Sequence, residues 1–260
     1  MTTGAANGQL WGRRARDWAD IQEGTVARVY DAVLAVSHVG ANTRYADLGC
    51  GAGMAAMKAA ALGARVSGLD ATEPLLAIAR ERVPHGDFRL GDLESLPFDG
   101  AAFDLTTGFN AFQYASDPVK ALREAKRVTR PGGTVVIMTW GEPAHMGAAS
   151  LVAALKPLLP PAPPNAPGPF ALSSREAITA FAEQAGLRMM RILDVDSPWH
   201  YTDLETGLRG LDSSGVSERA RAHSGDAAVT EAHRAALLPF RQADGSYSIS
   251  AWYRCLFAEA

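Results

Sequence analysis

The stretch RYADLGCGAGMAAMKAAALGARVSGLD, which runs from Arg44 to Asp70, contains the features that predict the fold of this chain. A short apolar run, RYADL, is typical of a buried strand and is followed by three glycines at alternate positions. An alanine-rich segment then predicts a helix that ends at Gly63, and ARVSGLD predicts a second strand. This order of strand, helix and strand is the repeating unit of parallel α/β proteins.

The three glycines, Gly49, Gly51 and Gly53, indicate a ligand site at the end of the first strand. A glycine turn that enters a helix presents backbone N–H groups and the positive end of the helix to a ligand. Asp70 ends the next strand, 21 residues after Gly49, where a carboxylate usually accepts both hydroxyls of a ribose. The pattern predicts a nucleoside site; the alternative is a glycine turn that only packs tightly.

The spacing of these glycines and the carboxylate of Asp47 indicate which nucleoside is bound. A dinucleotide fingerprint reads Gly-x-Gly-x-x-Gly, whereas here the third glycine comes one residue early. Asp47, two residues before the turn, would repel a pyrophosphate and would suit an ammonium group. We therefore expect a nucleoside that carries an amino acid, and NAD is disfavoured.

Composition and charge exclude several other classes of function. The 260 residues carry a net charge of −3 without a run of Lys or Arg, so nucleic acid is not an expected partner. The two distant cysteines, Cys50 and Cys255, support neither a disulfide framework nor a zinc site, and we expect no metal. No apolar run reaches the length of a signal peptide core or a membrane span, so we expect a cytoplasmic protein.

Alternation of strands and helices continues as far as Trp140 and predicts a parallel sheet covered on both faces. Thr72 and Asp117 are predicted helix N-caps, each followed closely by a proline in the first turn. The further predicted strands are DFRLGD, FDLTTGFN and GTVVIMTW.

We expect one α/β domain over residues 1–260, with a doubly wound, Rossmann-like sheet. The sheet is predicted to be mostly parallel, with an antiparallel C-terminal edge strand in GSYSISAWYRCLFA. Residues 156–170 contain seven prolines and predict an extended loop. The other expected units are N-terminal helices forming a lid (1–40), a cofactor-binding core (41–140) and a C-terminal helical cap for substrate (200–240).

Three quoted segments together carry a resemblance to a known family. YADLGCGAG, VSGLDAT and GDLESLPFDGAAFDLTTGFNAFQYASDPVKALREAKRVTRPGGTVVIMTW resemble the class I S-adenosylmethionine-dependent methyltransferases. They are most similar to the group that contains the ubiquinone and menaquinone methyltransferases. The resemblance is dense between Arg44 and Trp140 and looser elsewhere.

This resemblance implies S-adenosylmethionine as the cofactor and assigns a part of it to each matching residue. The glycine turn would contact the methionine part, with Asp47 facing its amino group, while Asp70 would hold the ribose. Ala71, Asp92 and Leu93 would surround the adenine, and Asn110 would lie near the sulfonium. Trp18 and Trp11, seven residues apart and predicted on one helical face, would belong to the lid; packing of that face on the core is the alternative. The expected cofactor-binding residues are Trp18, Asp47, Gly49, Cys50, Gly51, Asp70, Ala71, Asp92, Leu93 and Asn110.

The catalytic residues are less clearly indicated. Many relatives carry a histidine shortly after the fourth strand, where this chain has Gln113 and Tyr114. The candidates are therefore Gln113, His145 and His200, although a surface position is the alternative for either histidine. Three aromatic residues, Trp140, Trp199 and Tyr201, are candidates for the wall of an apolar acceptor pocket or for ordinary core packing.

The function expected from the sequence is methyl transfer from S-adenosylmethionine to a small organic acceptor by in-line displacement. The nucleophile is left open between oxygen, nitrogen and carbon. The alternatives are a quinone-ring C-methyltransferase and a protein that binds S-adenosylmethionine without catalysis. Appearance of S-adenosylhomocysteine that depends on an acceptor distinguishes the enzyme from the binding protein.

We predict that deletion of residues 1–22 weakens the binding of S-adenosylmethionine, because this segment contains both tryptophans of the expected lid. Isothermal titration of the truncated and intact chains measures the change. Equal affinity of the two chains would contradict the lid.

Overall fold

The computed structural model describes residues 4–162 and 167–260. The predicted loop over residues 156–170 begins as a short 3-10 helix, Lys156–Leu158, and its residues 163–166 lie outside the described part. Among the described residues, no helix combines the length and the apolar character that crossing a bilayer requires.

A seven-stranded sheet forms the centre of the molecule. Its strands are β1 (Arg44–Leu48), β2 (Arg65–Asp70), β3 (Asp87–Leu90), β4 (Phe103–Phe109), β5 (Thr129–Trp140), β6 (Arg188–Asp196) and β9 (Trp252–Glu259), in the order β3-β2-β1-β4-β5-β9-β6. Strands β1 to β5 are parallel to one another, and the order reverses between β1 and β4. In open α/β sheets, ligands bind at the carboxyl ends of the strands at such a reversal.

The C-terminal strand β9 is antiparallel, as predicted, but the edge of the sheet is formed by β6. β9 pairs with β5 on one side and with β6 on the other. The residues of β9 from Tyr253 to Ala258 are all buried. A strand that is buried along its length is stabilised by hydrogen bonds to a neighbouring strand on each side. The predicted last strand is also divided in two, since β8 (Tyr247–Ile249) pairs instead with β7 (Trp199–Tyr201) in a separate ribbon.

Helices cover both faces of the sheet, which confirms the predicted doubly wound class. Helices α3 (Ala27–Val36), α4 (Met54–Ala61) and α5 (Glu73–Arg82) pack on one face, and α6 (Pro118–Val128) and α8 (Arg175–Gln184) pack on the other. The N-cap at Asp117 is confirmed, because its carboxylate accepts from Lys120 N at 2.9 Å. Thr72 precedes α5, but its side chain makes no capping bond.

The N-terminal segment is broken into short pieces. It consists of α1 (Gly4–Gly12), α2 (Ala15–Asp17), a π-helix at Trp18–Gln22 and a 3-10 helix at Glu23–Val26. The sequence suggested one helical face for Trp11 and Trp18; the two rings do meet edge-on at 4.9 Å, but they come from different helices.

The segment between β5 and β6 and the segment after β7 supply the remaining helices. Helix α7 (Ala148–Ala154) precedes the proline-rich loop. Helices α9 (Leu204–Asp212), α10 (Gly215–Ser224) and α11 (Asp226–Leu237), here called the C-terminal helical block, pack against one another and against the N-terminal helices.

Asp104 on β4 ties the amino ends of three strands together. Arg44 donates to both oxygens of this carboxylate, from Nε at 3.1 Å and Nη2 at 2.9 Å, and Arg130 donates from Nε at 2.7 Å. These hydrogen bonds and charges hold the pKa of Asp104 well below its usual range. The native state is therefore stabilised by the ionised form of this carboxylate.

We predict that Asp104→Asn lowers the free energy of unfolding by about 1 kcal/mol at pH 7, since solvent screens the two exposed arginines. A depressed pKa stabilises the fold above the carboxyl's ordinary value of about 4, so the difference from the native protein should shrink as the pH falls below that value. Urea titrations at pH 7 and pH 3 measure this difference in the free energy of unfolding. Asp196→Asn, at an exposed strand position, is the control. A difference that grows in acid would contradict the assignment.

Candidate functional site

The glycine turn lies between β1 and α4, at the point where the strand order reverses. Gly49, Gly51 and Gly53 all have positive φ, at 77°, 53° and 81°. A Cβ at Gly49 would lie 2.5 Å from the Cβ of Ala111, and one at Gly53 would lie 2.8 Å from the Cβ of Ala79. Only glycine meets both the dihedral angles and the close packing, so the backbone of the turn is fixed and open to a ligand.

Asp70 ends β2 directly beside this turn. Its carboxylate accepts from Gly51 N at 2.8 Å and from Thr72 N at 2.9 Å. Burial raises the pKa of Asp70, while these two hydrogen bonds act in the opposite direction. A carboxylate has about four acceptor positions, so this one is oriented by the backbone and can still accept hydroxyl groups.

Asp47, on β1, is a buried carboxylate with few partners. It is 2% exposed and lies opposite Thr107 on β4. Among the described residues, only Thr107 donates a hydrogen bond to it, at 3.0 Å, and the Thr107 hydroxyl in turn accepts from Tyr45 at 2.6 Å. Burial, together with the nearby charges of Glu23 and Asp70, raises the pKa of Asp47 to about 7. Such a group favours a positively charged ligand.

Glu23, which is not among the residues predicted from the sequence, also lies beside the glycine turn. It is 2% exposed, and its carboxylate accepts from Met54 N, at the start of α4, at 3.2 Å. Arg82 pairs with Glu23 and also donates to the carbonyl groups of Ala52 at 2.9 Å and Ala19 at 2.8 Å. Burial raises the pKa of Glu23, and the charge of Arg82 opposes this rise. The N-terminus of α4 is thus occupied by a carboxylate of the chain itself, which leaves it unsuited to a pyrophosphate.

No local pattern in the sequence pointed to Glu23. It lies 26 residues before the first glycine of the turn, and it reaches α4 only through the packing of the N-terminal segment. The same packing brings the indole nitrogen of Trp18 to 3.5 Å from the position of a Cβ on Gly51. Trp18 therefore lies over the glycine turn and also packs against a buried cluster that includes Ala52 and Leu75, so its lid role stays a prediction.

Asn110 and Gln113 lie together just after β4. Asn110 has φ 51°, in the left-handed region, where a residue other than glycine is uncommon and is often found at functional sites. Its side-chain oxygen accepts from Gln113 Nε2 at 2.9 Å. Both side chains are half-buried, so the structure places Gln113 at the rim where Asn110 was expected.

The two candidate histidines lie on exposed surface. His145 ends a short 3-10 helix after β5. His200 is the middle residue of β7, whose neighbours Trp199 and Tyr201 are buried, so its side chain points away from them. Because both side chains are exposed, their catalytic role stays a prediction.

A cluster of aromatic side chains includes Trp140, the last residue of β5. Trp140 stacks on Tyr253 with ring centres 5.1 Å apart, and Trp199 donates from Nε1 to the hydroxyl of Tyr253 at 3.1 Å. Tyr201 donates to Gln22 of the π-helix at 2.8 Å. The three expected pocket residues thus share one cluster, which also reaches the N-terminal segment. Among the described residues, no group of His, Cys, Asp or Glu has the arrangement of a metal site.

The comparison with known families agrees with this geometry. Residues 46–137 match the sequence model of a family described as a methyltransferase domain. The malonyl-(acyl-carrier protein) O-methyltransferase of Erwinia billingiae (strain Eb661) is 35% identical over 173 residues, which are 66% of this chain and 64% of that protein. The demethylmenaquinone methyltransferase of Renibacterium salmoninarum is 36% identical over 112 residues, 42% of this chain and 47% of that protein.

Solved structures share the fold. A SAM-dependent methyltransferase from Aquifex aeolicus has a TM-score of 0.53 and 19% identity over 70% of this chain and 92% of its own. The (4+2)-cyclase SpnF has a TM-score of 0.57 and 20% identity over 90% of this chain and 80% of its own. The predicted resemblance to methyltransferases is confirmed by the match of residues 46–137 to the methyltransferase-domain model. The chain spans about half the length of several curated relatives that it matches.

We predict that the affinity for S-adenosylmethionine falls between pH 7 and pH 5.5, by up to about tenfold per unit, because Asp47 must be ionised to hold an ammonium group. The raised pKa places this loss just below neutrality rather than near pH 4. Titration calorimetry across this range measures the change, and Asp47→Asn should bind more weakly with a flatter profile. Equal pH dependence in the variant would show that another group titrates.

Proposed function

We propose that this chain transfers a methyl group from S-adenosylmethionine to a small organic acceptor. The observation that carries the proposal is the arrangement of three carboxylates, Glu23, Asp47 and Asp70, around one glycine turn. A single arginine, Arg82, pairs with one of them. This surplus of negative charge in a buried position suits a cofactor that carries an ammonium and a sulfonium group.

The residues present fit the parts of this cofactor. Asp47 would hold the ammonium group, Asp70 would accept from the ribose hydroxyls, and the backbone of Gly49–Gly51 would contact the methionine part. Ala71, Asp92 and Leu93 would enclose the adenine, with Cys50 packed beneath the turn and Trp18 above it. When bound, S-adenosylmethionine supplies a methyl group that is already activated for attack.

The contribution of the protein to the reaction would then be mainly alignment. Holding acceptor and methyl group in line accounts for roughly 7–11 kcal/mol of barrier lowering at best. The side chains of Gln113 and Asn110 are hydrogen-bonded to each other at the rim, where they can orient an acceptor. His145 and His200 are exposed, so a general base from either would require a rearrangement.

Within the aromatic cluster, the half-buried Trp140 supports a flat or apolar acceptor, whereas Trp199, Tyr201 and Tyr253 are packed in the core. Aromatic walls suit such molecules, and the C-terminal helical block next to this cluster is the proposed substrate cap. The relatives named above act on a malonyl group carried by a protein and on demethylmenaquinone. A quinone-ring C-methyltransferase is thus the alternative within the same chemistry.

We predict that the intact chain binds S-adenosylmethionine and does not bind NAD. Asp70→Ala should weaken binding of S-adenosylmethionine at least tenfold, because a buried acceptor of the ribose is lost. Isothermal titration measures both ligands, with Asp196→Ala as the matched control on an exposed strand end. Equal loss in both variants, or binding of NAD in place of S-adenosylmethionine, would refute the assignment.

Catalysis is tested separately from binding. Incubation with S-adenosylmethionine and a panel of quinones, phenols and acyl thioesters should yield S-adenosylhomocysteine that depends on one acceptor. Tight binding without any such product across the panel would favour a protein that binds the cofactor without methyl transfer.

A further inference from the structure

Helix α1 lies directly on the residues that the proposed function assigns to adenine. A Cβ at Gly8 would lie 2.1 Å from the carbonyl oxygen of Ala71, and one at Gly4 would lie 2.4 Å from Oδ2 of Asp92. Distances this short mean that the helix backbone touches the backbone of Ala71, just after β2, and the side chain of Asp92, just after β3. No gap remains between helix and rim at these two positions for a purine ring.

Further contacts hold α1 across the crevice. At the β2 side, a Cβ on Gly12 would lie 3.1–3.3 Å from side-chain atoms of Pro74 and Thr72. At the β4 side, Asn7 donates from Nδ2 to the carbonyl oxygen of Tyr114 at 3.0 Å. The helix is therefore anchored on both sides of the strand-order reversal where a ligand is expected.

The carboxylate of Asp92 is also engaged in this state. Its Oδ1 accepts from Glu94 N at 2.9 Å, and its Oδ2 faces the backbone of Gly4. An exocyclic amine that approached Oδ2 of Asp92 would therefore have to displace Gly4 of α1.

The opposite side of α1 faces the C-terminal helical block. The indole nitrogen of Trp11 lies 2.5 Å from the position of a Cβ on Gly215, at the start of α10. Just after α1, Arg14 donates to Glu218 on α10 at 3.0 Å. Movement of α1 away from the rim would thus also disturb its contacts with α10.

We propose that α1 is an autoinhibitory plug of the adenine end of the cofactor site, which lifts when S-adenosylmethionine binds. The inference rests on the proposed function. A site that is open for only a fraction of the time has its apparent affinity reduced by that fraction. Weakening the docked state of α1 therefore strengthens cofactor binding, whereas weakening a lid that closes over the cofactor has the opposite effect.

The substitution Gly8→Ala in the full-length chain tests whether loosening α1 strengthens or weakens cofactor binding. Alanine favours a helix more than glycine does, so α1 itself is retained while its new methyl group clashes with Ala71. Gly24→Ala is the matched control, because it adds the same methyl group in the same segment where nothing lies within 4 Å. Residues 1–22 carry both α1 and Trp18, so their deletion does not separate these two roles.

We predict that Gly8→Ala lowers the Kd for S-adenosylmethionine at least threefold and raises the association rate, with the Gly24→Ala protein unchanged. Titration calorimetry and stopped-flow fluorescence measure these two quantities. Amide exchange over residues 4–12 should become faster in the unliganded Gly8→Ala protein, at an unchanged Tm.

A second pair of variants loosens α1 from its other side. Arg14→Gln removes the hydrogen bond to Glu218 at 3.0 Å, while Arg13→Gln removes only a more exposed ion pair with the same residue at 3.7 Å. Arg14→Gln should lower the Kd in the same direction as Gly8→Ala, and Arg13→Gln should have the smaller effect.

A higher or unchanged Kd in the Gly8→Ala protein overturns the plug, because α1 would then be a lid or would not take part. If S-adenosylmethionine binds neither the native protein nor any variant, the proposed function fails and the plug fails with it. If the native protein and all the variants bind S-adenosylmethionine with equal Kd, the plug is refuted and the proposed function is kept.

Discussion

The close packing of the glycine turn against its two neighbours is the constraint on which the candidate site depends. Gly49 lies against Ala111, beside the end of β4, and Gly53 lies against Ala79 of α5. Because both glycines have positive φ and no room for a side chain, the backbone between them has one conformation. This fixed turn places Gly51 N where Asp70 can accept from it, and so sets the position of the β2 carboxylate.

Charge at the site is arranged for a cation rather than for a phosphate. The parallel register of β1 and β4 places Asp47 opposite Thr107, in a position with little solvent and one hydrogen bond. Glu23 then occupies the start of α4, the position at which a dinucleotide-binding protein of related architecture holds its pyrophosphate. A strand carboxylate and a carboxylate from the N-terminal segment thereby make the turn unfavourable for a pyrophosphate and favourable for a cation.

The N-terminal segment connects this site to the rest of the molecule. Arg82 links α5, the glycine turn and the π-helix in one network of hydrogen bonds. Through Gln22 the same segment reaches Tyr201, and so the aromatic cluster. A π-helix is uncommon and is often found at functional sites, which agrees with the position of Trp18 over the turn. The N-terminal segment therefore contacts both the glycine turn and the aromatic cluster.

The sequence by itself determined the alternation of strands and helices, the glycine turn and the carboxylates of Asp47 and Asp70, because each follows from short-range pattern and spacing. Only the tertiary structure decided that β6 is the edge of the sheet, that Glu23 reaches α4 and that α1 covers Ala71. These three features join segments distant in the chain. Such contacts depend on which surfaces pack together, and hydrophobic periodicity records only that a surface is buried, not what buries it.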